Sequence, residues 1–180
     1  MAGVTSRTRG ASKSRAAKSR ATSTAVDPGV VHRSRDLLDR AEALFDAAGG
    51  VEDDGAERFR QFYLAAIRSA GAILVVFEPV GPVRRRRDAR DAWSRIKSVA
   101  PQYAELAEYF GGLSQMRERV EAGLVKDVDD TFCARVERRA AEFLDAADAT
   151  LLSYEQGYGG DSEAAATGLF RPTGGSAVAG

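Results

Sequence analysis

The sequence predicts an all-α protein: one antiparallel bundle of about five helices, with disordered tails at both ends. Three observations predict it. Apolar residues recur at helical spacing in successive windows between residues 34 and 155, and no stretch shows the Val-, Ile- and Thr-rich alternation of a half-buried strand. Glycine or proline punctuates the windows, and the connections between them are short, which favours antiparallel neighbours.

Ser34 serves as an N-cap for the first helix, whose stripe Leu37, Leu38, Ala41, Leu44, Phe45, Ala48 runs until Gly49 and Gly50. The second stripe is Phe59, Phe62, Tyr63, Ala66, Ile67, Ala70, Ile73, Leu74 and Phe77. It becomes apolar nearly all round after Ala70, so this helix belongs at the centre. Gly71 within it costs about 1 kcal/mol relative to alanine, which suits a place where a neighbouring backbone comes close. Pro79 and Pro82 end the helix.

Ala89, Ala92, Trp93, Ile96 and Val99 make a short third helix. Pro101 opens a fourth, carrying Tyr103, Leu106, Ala107 and Phe110. Gly111 and Gly112 kink or end it, and Leu113, Met116 and Val120 continue the spacing. The fifth helix runs from about Asp127 to Glu155 on Val128, Phe132, Val136, Ala140, Phe143, Ala147, Leu151 and Tyr154, roughly 40 Å of helix.

The expected organisation is thus a disordered basic tail over 1–33, a bundle over 34–155, and a disordered Gly-, Ala- and Ser-rich tail over 156–180. With 180 residues and two such tails, there is room for one core. The zero net charge conceals an asymmetry. Residues 1–26 hold six cations and no acid, which leaves 20 basic against 26 acidic groups in the rest. A globally basic nucleic-acid binder is therefore not indicated, and cations have to be judged by place.

Cys133 is the sole cysteine, so no intrachain disulfide forms and a reducing cytoplasm is expected. The longest apolar run, Ala70 to Phe77, falls well short of the roughly 20 residues of a membrane span, and the N-terminus lacks the apolar core of a signal peptide. The Arg-, Ser- and Ala-rich N-terminus is similar to an organellar transit peptide. The use of 22 arginines against 4 lysines points instead to a GC-rich bacterial genome.

The densest cationic run is Arg84, Arg85, Arg86 and Arg87, followed by Arg90, Arg95 and Lys97. Forked guanidinium donors suit phosphates, and Trp93 or Tyr103 would stack a base. The plainer reading is a solvated turn whose charges offset the dipole of the second helix, with Trp93 filling the core. The six tail cations would give a salt slope of about −4 on a single strand if all engaged, or would simply solubilise the tail.

Catalytic chemistry finds no constellation. His32 is the only imidazole, which rules out two-histidine acid–base pairs and the usual His-containing zinc sites, and it falls in the linker before the bundle. A Cys–His pair would require His32 to fold back onto Cys133, which sits in a core-facing turn. Asp127, Asp129 and Asp130 crowd the start of the fifth helix, where negative charge caps it, and Glu105 and Glu108 form a flanking polar face. No metal or other cofactor is expected.

Tyr63-Leu-Ala-Ala-Ile-Arg-Ser-Ala-Gly-Ala-Ile-Leu, the Arg84–Arg87 turn leading to Trp93, and Ala100-Pro101 followed by Leu106 and Phe110 together resemble the actinobacterial SAV_6107-like HEPN domain family over roughly residues 35 to 152. The resemblance implies a helical bundle, often dimeric, of a kind that includes RNases and nucleotide-binding modules of toxin–antitoxin, defence and stress systems. Active members carry an Arg followed four to six residues later by a His, paired across a dimer. No such pair occurs here, because His32 has no Arg at that distance upstream and no His follows Arg117, Arg119, Arg135 or Arg138. Losing the imidazole removes an acid–base contribution of about 10²–10⁴. The expectation is a non-catalytic RNA- or nucleotide-binding accessory protein using Arg84–Arg87, Arg90 and Arg95. The alternatives are a bundle that dimerises or receives a partner protein, and an RNase lacking the motif. No membrane association is expected.

Overall fold

The computed structural model describes residues 26–78 and 89–157, with backbone alone for 89–91. The tail segments 1–25 and 158–180, and the turn 79–88 with Arg84–Arg87, lie outside the described residues. The described residues form helices α1 (Pro28–Gly49), α2 (Gly55–Phe77), α3 (Ala89–Val99), a 3-10 turn (Pro101–Tyr103), α4 (Ala104–Gly112), α5 (Ser114–Glu121) and α6 (Asp130–Glu155), and no strand.

Helix α1 begins earlier than Ser34. Asp27 is its N-cap, accepting from the Gly29 N–H at 2.8 Å, and Pro28 takes the first helical position. A proline there gives up only an N–H that would have had no intrahelical partner. Ser34 is instead fully buried, its hydroxyl donating to the Ala72 carbonyl of α2 at 3.2 Å. A serine at a core position imitates a helix start in the sequence, because its tertiary acceptor lies 38 residues away. His32 consequently stands on the exposed side of α1 and not in a linker.

Helix α2 is central, packing against α1, α6, α3, α4 and α5. Asp54 caps it by accepting from Glu57 N–H at 2.9 Å, and eleven of its residues are buried. By length and composition it is the one described helix that would pass as a membrane span, yet 56% of its apolar window is inside the bundle. At Gly71 the close neighbour is a side chain, not a backbone: a Cβ there would lie 3.4 Å from Leu37 Cδ1.

The direction of the long helices follows from contacts at their ends. Ser34 near the start of α1 touches Ala72 near the end of α2, so these two are antiparallel. Tyr103, just before α4, bonds Thr150 near the end of α6, while Arg139 reaches back to Glu105, so α4 opposes α6. Cys133 early in α6 donates to Gly55 O at the start of α2, and Tyr154 near its end accepts from Asp27 N–H. Helices α2 and α6 thus run parallel to each other, and α1 and α4 oppose them.

The glycine doublet ends α4 at Gly112, and Leu113 turns the chain into α5. Asp129 caps α6 through Phe132 N–H at 3.0 Å, and Asp130 pairs with Arg58. The core is one cluster, with Phe59, Phe62, Tyr63, Phe110 and Phe143 all at or below 1% exposure.

Candidate nucleotide-binding groove

Trp93 sits where α2, α3, α4 and α6 meet. Its ring stacks on Phe110 at 5.6 Å between centroids and meets Tyr63 edge-on at 6.0 Å. At 2% exposure it fills the core and is not a platform for a base. Tyr103 is likewise committed, sharing a hydrogen bond of 2.9 Å with Thr150 Oγ1.

A directed polar chain runs from this tryptophan to the surface. The indole Nε1–H donates to Tyr63 Oη at 3.1 Å, and Tyr63 Oη lies 3.0 Å from Ser114 Oγ. An indole can only donate, so Tyr63 Oη accepts from it. Tyr63 then satisfies its own buried proton by donating to Ser114, its other partner among the described residues. That makes Ser114 Oγ the acceptor and leaves its own hydroxyl proton outside this contact, at the first position of α5.

Ser114 opens onto a groove of about 550 Å³ between α3 and the α4–α5 joint. Trp93 and Lys97 of α3, Glu108 and Gly112 of α4, and Gln115 of α5 share its lining. Gly111 lies against the tryptophan, its Cβ position 3.7 Å from Trp93 Cβ, while a Cβ on Gly112 would meet nothing within 4 Å. The doublet thus both breaks the helix and leaves the wall of the groove without side chains. Lys97, Glu108 and Gln115 are exposed, and neither charge forms an ion pair among the described residues.

Of the arginines expected to form a binding surface, Arg84, Arg85, Arg86 and Arg87 lie outside the described residues. Arg90 is placed in the first turn of α3 by its backbone, one turn before Ser94 and two before Lys97. Arg95 is exposed and engaged with Glu78 at the end of α2 through Nε–Oε1 at 3.0 Å and a second contact from Nη2. Its charge is therefore partly offset where it stands. Spacing alone could not show this, because Glu78 is separated from it by 17 residues.

His32, on α1, and Cys133 lie near opposite ends of α6. The start of α1 is tied to the end of α6 by Asp27 with Tyr154 and by Arg35 with Glu155 at 2.6 Å, whereas Cys133 lies about 30 Å along that helix. Cys133 is 2% exposed, and burial pushes its thiol up from the ordinary range, with Arg58 opposing the shift. No three His, Cys, Asp or Glu side chains converge as a metal site among the described residues. Tyr109 is raised by burial, against the field of Arg135, Arg139 and Arg138.

The groove itself was not legible as a site in the sequence. Its local signal was the Gly111–Gly112 doublet in an otherwise helical stretch. Ser114 and Gln115 carried no pattern of their own.

A family model described as SAV_6107-like HEPN matches residues 48–148, more than half of the chain. No curated protein and no solved structure matches it.

Proposed function

The chain belongs to the SAV_6107-like HEPN family, and on that premise we propose that it is a non-catalytic RNA- or nucleotide-binding accessory protein of the bacterial cytoplasm. Its cationic segment from Arg84 to Arg95 forms the attracting surface. The observation that carries this reading is the position of α3. The arginine run leads in sequence straight into the helix that walls the groove, and Lys97 stands there without an ion-pair partner among the described residues. Guanidinium and ammonium groups next to a concave, mixed-polarity surface suit a phosphate-bearing ligand.

The absence of an Arg-x4-6-His pair supports binding without cleavage. His32, exposed on α1, has no arginine upstream at the required spacing. A second reading, a bundle that dimerises or receives a partner protein, draws on Leu124 and Leu152, which are 73% and 45% exposed. These two leucines are, among the described residues, a small apolar surface for a stable interface, so the binding reading is preferred.

Fluorescence anisotropy with labelled single-stranded RNA tests it. Binding should appear at low salt and weaken steeply as salt rises. Replacing Arg84–Arg87 with alanine should reduce the slope of log K against log salt by about 3, near 0.7 for each phosphate no longer neutralised. No binding at low salt, or an unchanged slope in the quadruple variant, overturns the proposal. Incubation of total RNA with the purified protein should yield no cleavage products.

A further inference from the structure

We infer that the groove between α3 and the α4–α5 joint holds one unpaired nucleotide whose base carries an exocyclic amino group, with the amino group on Glu108 and the phosphate on Lys97. This deepens the binding reading above and rests on it for the class of ligand.

A groove for a simple anion should not contain a carboxylate, and a groove for a cation should not contain an ammonium. This one presents both, Lys97 on α3 and Glu108 on α4, without pairing them with each other. The complementary ligand is negative at one end and rich in hydrogen-bond donors at the other. A nucleotide with an amino-bearing base has that polarity, and a carboxylate accepting from a base amino group is a recurrent mode of base reading. A small zwitterion such as an amino acid matches the charges but would leave most of the roughly 550 Å³ unfilled.

Two further features fit. The chain from Trp93 through Tyr63 to Ser114 occupies the serine oxygen as an acceptor, so the hydroxyl that lines the groove keeps its proton for a ligand. Gln115, one residue on, offers both a donor and an acceptor. The absence of side chains at Gly111 and Gly112 lets a sugar or base ring approach the backbone. Gly112 has open space on its Cβ side and no positive φ, so helix geometry does not require a glycine there.

Trp93 is the only tryptophan and lines the groove, so its emission reports occupancy in the full-length chain. Titration with CMP, AMP, GMP and UMP should give saturable changes for the first three, with UMP weaker by about tenfold for want of the amino group. Gly112→Leu should abolish the response with the helical circular dichroism and thermal midpoint retained, because an added Cβ meets no atom within 4 Å and the side chain starts from the groove wall. Glu108→Ala should bring UMP level with CMP. Lys97→Ala should lower the affinity for CMP to that for cytidine and preserve the preference among bases. The inference is overturned if none of the four nucleotides gives a saturable change, if the response survives in folded Gly112→Leu, or if glycine produces the same response. Should single-stranded RNA still bind in the anisotropy assay while the mononucleotides fail, the groove assignment alone falls. Failure of both removes the binding reading as well.

Discussion

Tyr63 carries more of the fold than its place on an alanine-rich helix suggests. Its ring is fully buried, contacts Phe59, Trp93 and Phe110, and lies 5.6 Å beneath the Arg117 guanidinium, while its hydroxyl joins α3 to α5. Tyr63→Phe keeps the ring and removes only the oxygen. The indole N–H of Trp93 and the Ser114 hydroxyl then lose their shared partner, and an unsatisfied buried donor costs about 1–3 kcal/mol. Ser34→Ala provides the contrast. The Ala72 carbonyl it abandons remains within a helix, so the loss should stay near the net value of an ordinary hydrogen bond, about 1 kcal/mol. Denaturant midpoints at constant m-value should therefore rank Tyr63→Phe below Ser34→Ala, and the reverse order would show that the chain of hydroxyls contributes little. The same comparison explains what a sequence discloses at this scale. The apolar spacing places Tyr63, Trp93 and Phe110 in the core, but nothing local signals that Ser114, 51 residues from Tyr63, is its acceptor.

At the level of the elements, helix interiors follow the apolar period, and their ends follow chemistry that is harder to read. Gly49 and Gly50 stop α1, and the aspartates before α6 cap it, because the relevant partners are one to three residues away. The start of α1 lies earlier than the spacing predicts because Ser34 resembles a cap and Asp27 is followed by Pro28 and Gly29, which read as a linker. Gly55 illustrates a constraint set by another element altogether. It opens α2 where the strap before α6 crosses, and an added Cβ would lie 2.2 Å from the Val128 carbonyl oxygen. Backbone cannot yield as a side-chain tip does, so Gly55→Ala should cost about 1–3 kcal/mol. Gly49→Ala, with nothing within 4 Å, should be neutral or gain up to about 1 kcal/mol. Cys133 supplies a second readout: its thiol donates to Gly55 O at 3.3 Å, so displacement of that turn should speed its reaction with a thiol reagent in Gly55→Ala. Equal stability and equal thiol reactivity in the two alanine variants would contradict the close approach.

For the molecule as a whole, the fold class was legible because each helix carries its own period, and the groove was not, because it arises from three elements that are individually ordinary. Lys97, Glu108 and Ser114 come from α3, α4 and α5 and converge only when Trp93 docks between α2 and α4. The closure of the bundle is of the same kind. Asp27 N–H donates to Tyr154 Oη at 3.0 Å across 127 residues, Val30 is 4% exposed, and Arg35 grips Glu155, so the first turns of α1 fasten the end of α6. A chain beginning at Ser34 would forgo the Asp27 cap, worth about 1 kcal/mol, and the burial of Val30, worth about 2 kcal/mol. Relative to a chain beginning at Val26, its stability should fall by about 3 kcal/mol and its thermal midpoint by roughly 10 °C, followed by circular dichroism. The loss should appear first at the α6 terminus, as faster amide exchange near Leu151 and Tyr154 than around Val136, because the partner removed is the one that covers that end. Midpoints within about 2 °C of each other would mean that the bundle closes without these turns, and that α1 is structurally necessary only from Ser34 onward.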